Sequence, residues 1–124
     1  MYHFDFDSPE FNHQRIKYCG KQVRGVAHVD DHSYLFYGNF SWKLSPETEE
    51  YKTIKRMIDI WSSFAFNSNP NCNQTNEVLE GSLWLPVTSV DNIKCLNIGR
   101  ELLLIDLPEM EKLHVWEQIY KVES

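Results

Sequence analysis

The stretch SPETEEYKTIKRMIDIWSSFA, Ser45 to Ala65, is the clearest element of the chain and the one from which the rest is read. Ser45 can N-cap a helix, and Pro46 suits the first helical position, where a missing N–H leaves no bond unmade. Glu47, Glu49 and Glu50 then set negative charge at the positive end of the helix dipole. Behind that start Tyr51, Ile54, Met57, Ile58, Trp61, Phe64 and Ala65 step by three and one, while Lys52, Lys55 and Arg56 lie off the stripe. The spacing predicts a helix from Ser45 that buries one face. Asn67-Ser68-Asn69-Pro70 stops it.

Downstream, a polar loop of Asn, Gln and Thr runs to about Glu80. Short extended pieces follow around Ser82 to Pro86, Lys94 to Ile98 and Leu102 to Ile105. Glu109 to Val122 reads as a second amphipathic helix with Met110, Leu113, Trp116, Ile119 and Tyr120 on or near one side. Trp61 and Trp116, at helical spacing, read as core packing. Upstream, Tyr2 to Phe6 alternates aromatic and polar residues, the period of a strand, and Ser8-Pro9 ends it. From Glu10 to Asp31 no periodicity is sustained, so a long loop punctuated by Gly20 and Gly25 is expected to lead into Val26-Ala27-His28. Loops of that length in a small domain are usually functional. Ser33 to Gly38 fits a short helix or a strand equally.

The chain has 124 residues, with 12 Lys+Arg against 18 Asp+Glu, a formal charge of −6. This bounds it to one domain, and 42% hydrophobic residues are too many for intrinsic disorder. Without a basic cluster it has no electrostatic pull on phosphate, so neither nucleic acid nor an anionic membrane surface is expected as a partner. The longest apolar run, Leu102 to Leu107, is broken by Asp106, far short of the ~20 residues of a membrane span. Met1 to Asp7 lacks the basic and apolar regions of a signal peptide, which leans the expectation towards an intracellular protein. Cys19, Cys72 and Cys95 form no C-x-x-C and are expected as buried free thiols. The sequons at Asn39 and Asn73 matter only in a secreted protein.

Ionisable groups are densest in Gly25-Val26-Ala27-His28-Val29-Asp30-Asp31-His32. A loop histidine beside small residues suits acid–base work, since imidazole titrates near neutral pH. His28 and His32 at i, i+4 with Asp30 or Asp31 also permit a metal reading, yet the H-E-x-x-H pattern would need Glu where Val29 stands. No G-x-S-x-G elbow is present; Gly81-Ser82-Leu83-Trp84 lacks the closing glycine. Neither G-x-G-x-x-G nor G-x-x-x-x-G-K-[ST] occurs, so no phosphate or nucleotide cofactor is anchored. The chain offers a base without a nucleophile.

Four segments in order carry a resemblance: Phe4-Asp5-Phe6-Asp7-Ser8-Pro9; Gly25 to Asp31; Tyr34-Leu35-Phe36; and Trp61-Ser62-Ser63-Phe64-Ala65 with Asn69-Pro70-Asn71. Ile105-Asp106-Leu107-Pro108 and Val115-Trp116 extend it. Together they resemble the C-terminal end of a type-B carboxylesterase, closest in flavour to insect α-esterases. The resemblance implies an α/β fold, specifically a C-terminal fragment of an α/β-hydrolase over residues 1–124. Its parts would be the last sheet strand, the catalytic-histidine loop, the long amphipathic helix, short strands and a terminal helix, with no complete second domain. It also implies hydrolysis of small carboxylic esters by a serine–acid–histidine triad without cofactor or metal. His28 matches the catalytic histidine. Because the triad runs serine, acid, histidine along the chain, the serine, acid and oxyanion hole would lie upstream, and this chain alone would be inactive. Asp30 and Asp31 are expected to brace the loop or cap the short segment after it. Relatives often carry a small residue at position 29 and an apolar core contact at position 32.

A stand-alone piece of this kind should expose strand edges and apolar helix faces that the upstream part of the domain covers for a stable fold. Two other classes remain open at this point: a small protein-binding module derived from an esterase tail, and a metal-binding protein using His28, His32 and Asp31.

Overall fold

The computed structural model describes residues 1–38, 43–71, 83–89 and 93–120. In chain order they form β1 (Tyr2–Phe4), α1 (His13–Cys19), α2 (His32–Leu35), α3 (Glu49–Asn67), β2 (Lys94–Ile98), β3 (Leu102–Asp106) and α4 (Met110–Ile119). The strands make one mixed sheet in the order β1-β2-β3. β1 runs parallel to β2, pairing Tyr2 with Leu96 and Phe4 with Ile98, and the chain between them supplies the crossover that a parallel pair needs. β2 and β3 are antiparallel, in register from Lys94↔Asp106 to Ile98↔Leu102. This is an α/β fold consistent with part of an α/β-hydrolase-like arrangement.

α3 and α2 cover one face of the sheet. The core is Phe6, Phe11, Tyr34, Met57, Ile60, Leu96, Ile98 and Leu102, with Phe4, Leu35, Ile54, Trp61, Trp84 and Leu104 packed against it. The aromatic rings meet edge-on or tilted, Tyr34 taking Phe4, Phe6 and Phe11 at centroid distances of 5.1, 5.6 and 5.0 Å.

α3 begins a turn later than its sequence suggests. The Ser45 carbonyl accepts from Thr48 N (3.0 Å) and Thr48 Oγ1 (2.7 Å), so residues 45–48 form a turn with Pro46 second, a position its fixed φ also suits. Thr48 is the N-cap, its Oγ1 accepting from Tyr51 N. The end falls where expected, with Ser68 left-handed at φ 55° and its N–H on the Phe64 carbonyl. The buried face is narrower than the apolar stripe and rotated from it, taking in Thr53 and Ile60, which lie off the stripe. Thr53, Met57 and Ile60 are buried, whereas Tyr51, Ile58 and Phe64 are 41%, 48% and 59% exposed. A three-stranded sheet is too narrow to cover the whole stripe.

Other expectations are corrected. Residues 13–19, read as loop, are helical; α1 buries Arg15 and no apolar residue, so it carries no apolar period to detect. The segment Ser33 to Gly38, open between helix and strand, is helical in α2 only as far as Leu35, and Phe36 is extended. Residues 83–89 form no strand. α4 exists, but Met110, Leu113, Trp116, Ile119 and Tyr120 are all exposed. Trp116 is therefore not core; its ring stacks on Tyr120 at 5.8 Å. Cys95 is buried and Cys19 exposed, both free thiols, so burial holds for only one of this pair. Cys72 and both sequons lie outside the described residues, as do most of the stretch expected as a polar loop to Glu80 and the expected helix end at Val122. No helix among the described residues is long and apolar enough to cross a membrane.

Met57 and Ile58 share one helix and one sequence stripe but differ in burial, 0% against 48% exposed. Met57→Ala should lower unfolding free energy by about 2–5 kcal/mol, and Ile58→Ala by less than about 1 kcal/mol, in urea titrations followed by circular dichroism.

Candidate functional site

The segment singled out in the sequence is a tight reversal between α1 and α2. Asp30 N donates to the Ala27 carbonyl (3.1 Å), closing a β-turn with His28 and Val29 at its corners. Val29 has φ 73°, the left-handed value that the third residue of a type II turn takes. Glycine takes that conformation freely, whereas a β-branched residue is strained in it. The small residue that the family resemblance places here meets a real backbone demand. His28, at the second position, is exposed, and no hydrogen bond to its ring comes from the described residues.

Under the exposed imidazole lies a buried polar layer. The Asp30 side chain is fully buried. Its Oδ2 accepts from Ala27 N (2.7 Å), and its Oδ1 from Gln14 N (2.9 Å) and Arg15 N (3.1 Å) in the first turn of α1. Asn12 donates to the Phe6 carbonyl (3.0 Å) and accepts from the Tyr34 hydroxyl (2.7 Å). Arg15 donates to the carbonyls of Ser8 (2.7 Å) and Val23. Ser8 accepts from Phe11 N (3.0 Å) and donates to Glu50 (2.7 Å), joining this layer to α3. Asp30, Asn12 and Arg15 thus each find partners in segments distant in sequence, which fixes the loop without an apolar core of its own.

Electrostatics follow burial. The Tyr34 phenol is pushed well above its usual range, by burial foremost and then by the negative charge of Glu50. His13, its ring 5.0 Å from that of Phe11, is pulled down by burial against the opposing charge of Asp30. Tyr2 donates to Asp31 Oδ2 (2.7 Å) and sets its ring edge-on to Trp61 at 4.8 Å. Burial, then the hydrogen bond and charge of Asp31, push Tyr2 up to about 12.

The two aspartates divide the roles expected of them. Asp30 braces the loop, but the helix it caps is α1 before it, not the segment after it. Asp31 occupies the N-cap position of α2 without a side-chain cap bond and holds Tyr2 instead. Neither carboxylate hydrogen-bonds to His28. His32 is exposed, edge-on to Phe36 at 5.8 Å, so it occupies no core slot. Among the described residues no three His, Cys, Asp or Glu side chains converge to hold a metal ion, so His28, His32 and Asp31 form no such cluster. Sequence reasoning missed Asn12 and Arg15, and named Tyr34 only within the resemblance, without its buried hydroxyl. An arginine amid a polar stretch gives no sign that it is buried, although Ser8-Pro9 was visible as a break in the chain.

A mixed three-stranded sheet with helices packed on it, and an exposed imidazole on a braced turn after α1, is consistent with part of an α/β-hydrolase-like arrangement. The carboxylesterase family model matches residues 1–116, and the chain belongs to that family. It is 34% identical over 123 residues to Esterase B1 of Culex pipiens, an alignment covering 97% of this chain. The chain spans only 22% of the length of that esterase.

Val29→Gly should raise unfolding free energy by about 1 kcal/mol, since a strained left-handed residue costs about 1–3 kcal/mol and the added freedom of glycine in the unfolded chain offsets up to about 1; a lower urea midpoint would contradict this. Tyr2 has a folded pKa above its ordinary 10.0, so its contribution to stability is full below pH 10.0 and lost as pH rises through about 12. The stability gap between the parent and Tyr2→Phe should close over that interval.

Proposed function

We propose that this chain is the C-terminal part of a type-B carboxylesterase domain, residues 1–124, and that it supplies His28 as the general base of a serine–acid–histidine triad. The observation that carries this reading is the state of His28: exposed at the corner of a turn that the buried Asp30 carboxylate ties to α1. Such a ring is free to meet a serine and an orienting acid from elsewhere, and family membership supports the same role.

In the assembled site the imidazole of His28 would take the serine proton as the hydroxyl oxygen attacks the ester carbonyl, forming the tetrahedral intermediate. It would pass that proton to the leaving alcohol as the C–O bond breaks. Deacylation repeats the sequence with water as nucleophile. The serine, its acid partner and the oxyanion hole come from the upstream part of the domain, so a small carboxylic ester is the substrate of the whole and this chain alone is inactive.

Uncovered surfaces support the need for that upstream part. β1 lies at the sheet edge. Tyr51, Ile58 and Phe64 on α3, and Leu113, Trp116 and Ile119 on α4, are exposed. An open cleft of about 640 Å³ between Tyr2, Trp61, Phe64, Trp84 and Leu85 is apolar. Apolar surface on this scale marks an interface. The same faces support a second reading, a non-catalytic protein-binding module, which differs in requiring no role for His28.

The test is reconstitution. The chain alone should not turn over a chromogenic short-chain ester, whereas the chain joined in trans by the part of Esterase B1 it does not match should do so. His28→Ala should lower kcat by about a thousandfold or more. Hydrolysis unaffected by that substitution would sink the assignment, and a tight complex without hydrolysis would favour the binding module.

A further inference from the structure

We infer that Asp30 is the positioning residue of His28: its carboxylate ties the histidine turn to the first turn of α1 and thereby sets where the imidazole stands. The inference rests on the reading of His28 as the base.

The geometry is specific to this side chain. One carboxylate spans two segments, with Oδ2 on Ala27 N, the residue before the histidine, and Oδ1 on Gln14 N and Arg15 N. Its own N–H closes the turn on the Ala27 carbonyl and its own C=O accepts from Ser33 N, so Asp30 holds the turn from both ends. His28 lies between the two tethered residues. Its position is therefore referenced to α1, which is in turn held through Arg15 to the backbone at Ser8 and Val23. The same closure keeps Val29 at φ 73° against the preference of a β-branched residue, a conformation that persists only where its surroundings over-determine it. Without the clamp, the turn is free to relax towards negative φ at Val29, moving the ring beside it. A shift of about 1 Å in a reacting group costs about a hundredfold in rate.

Asp30→Asn separates positioning from simple burial. An amide keeps one oxygen, which can serve the two α1 amides, and presents an NH₂ to Ala27 N–H, where donor meets donor. In the 124-residue chain, amide exchange at Ala27 should accelerate at least tenfold relative to Leu96 in β2, and the ring resonances of His28 should shift and broaden. In the complex with the remainder of Esterase B1, kcat per titrated active site should fall about ten- to a hundredfold with KM within about twofold. Titrating sites removes any loss from unfolded material. If Asp30→Asn does not fold, the same comparison is made in the Val29→Gly background, where glycine carries the left-handed residue at no cost, each variant read against its own parent. Unchanged relative exchange at Ala27, or kcat within twofold of the parent while His28→Ala abolishes hydrolysis, would overturn the inference. Hydrolysis that survives His28→Ala would instead remove the base assignment, leaving the exchange and resonance readouts to decide the clamp itself.

Discussion

The buried carboxylate of Asp30, shared by three backbone N–H groups from two segments, is the constraint on which the histidine-bearing half of the molecule depends. A charge in the interior is tolerated only when its hydrogen-bonding capacity is filled, and each charge-assisted bond contributes about 1.5–3 kcal/mol against that desolvation. These bonds are distributed so that losing the alignment of either α1 or the turn would leave the charge short of partners. That asymmetry, in which a broken bond costs more than a formed bond gains, explains how a stretch with little apolar content holds one conformation. Asn12 and Arg15 repeat the device, each bridging backbone groups that the chain keeps apart, and Ser8 joins its own turn to the Glu50 side chain on α3.

The sheet and α3 follow a different logic. Leu96, Ile98 and Leu102 meet Met57 and Ile60 in a small apolar core, and rings from β1 and α2 close it. That core uses only part of the apolar surface the sequence provides. Buried polar side chains and exposed tryptophan, leucine and isoleucine coexist in one chain, an inversion that suits a portion of a larger body whose remaining layers supply the missing cover. Family membership over residues 1–116, and a match to 22% of the length of Esterase B1, agree with that physical picture.

What the sequence disclosed, and what it concealed, divides along the same line. α3 was legible because its period and breakers are local, although Ser45 and Thr48 both offer a cap and only the fold selects between them. Strands at Lys94–Ile98 and Leu102–Asp106 were legible from short apolar runs. α1 was not, because its stability comes from Arg15 and from a carboxylate 15 residues away, an interaction with no periodic signature. His28 was legible as a chemical group in a loop, and it stands exposed at a turn. The role of Asp30 was legible only in outline, as a loop brace, since its partners on α1 are set by tertiary structure. Trp116 misled because an amphipathic stripe reports that a face is to be covered, not that the cover lies in the same stretch of chain.

The central claim is that these residues are one part of a larger esterase domain. Its most direct test is the mass of the native protein in the organism that makes it, read by immunoblot with an antibody to the peptide from Leu113 to Ser124. The account predicts a band several times larger than 14.7 kDa. A single band at 14.7 kDa would contradict it and make this chain a separate small protein whose function lies in binding.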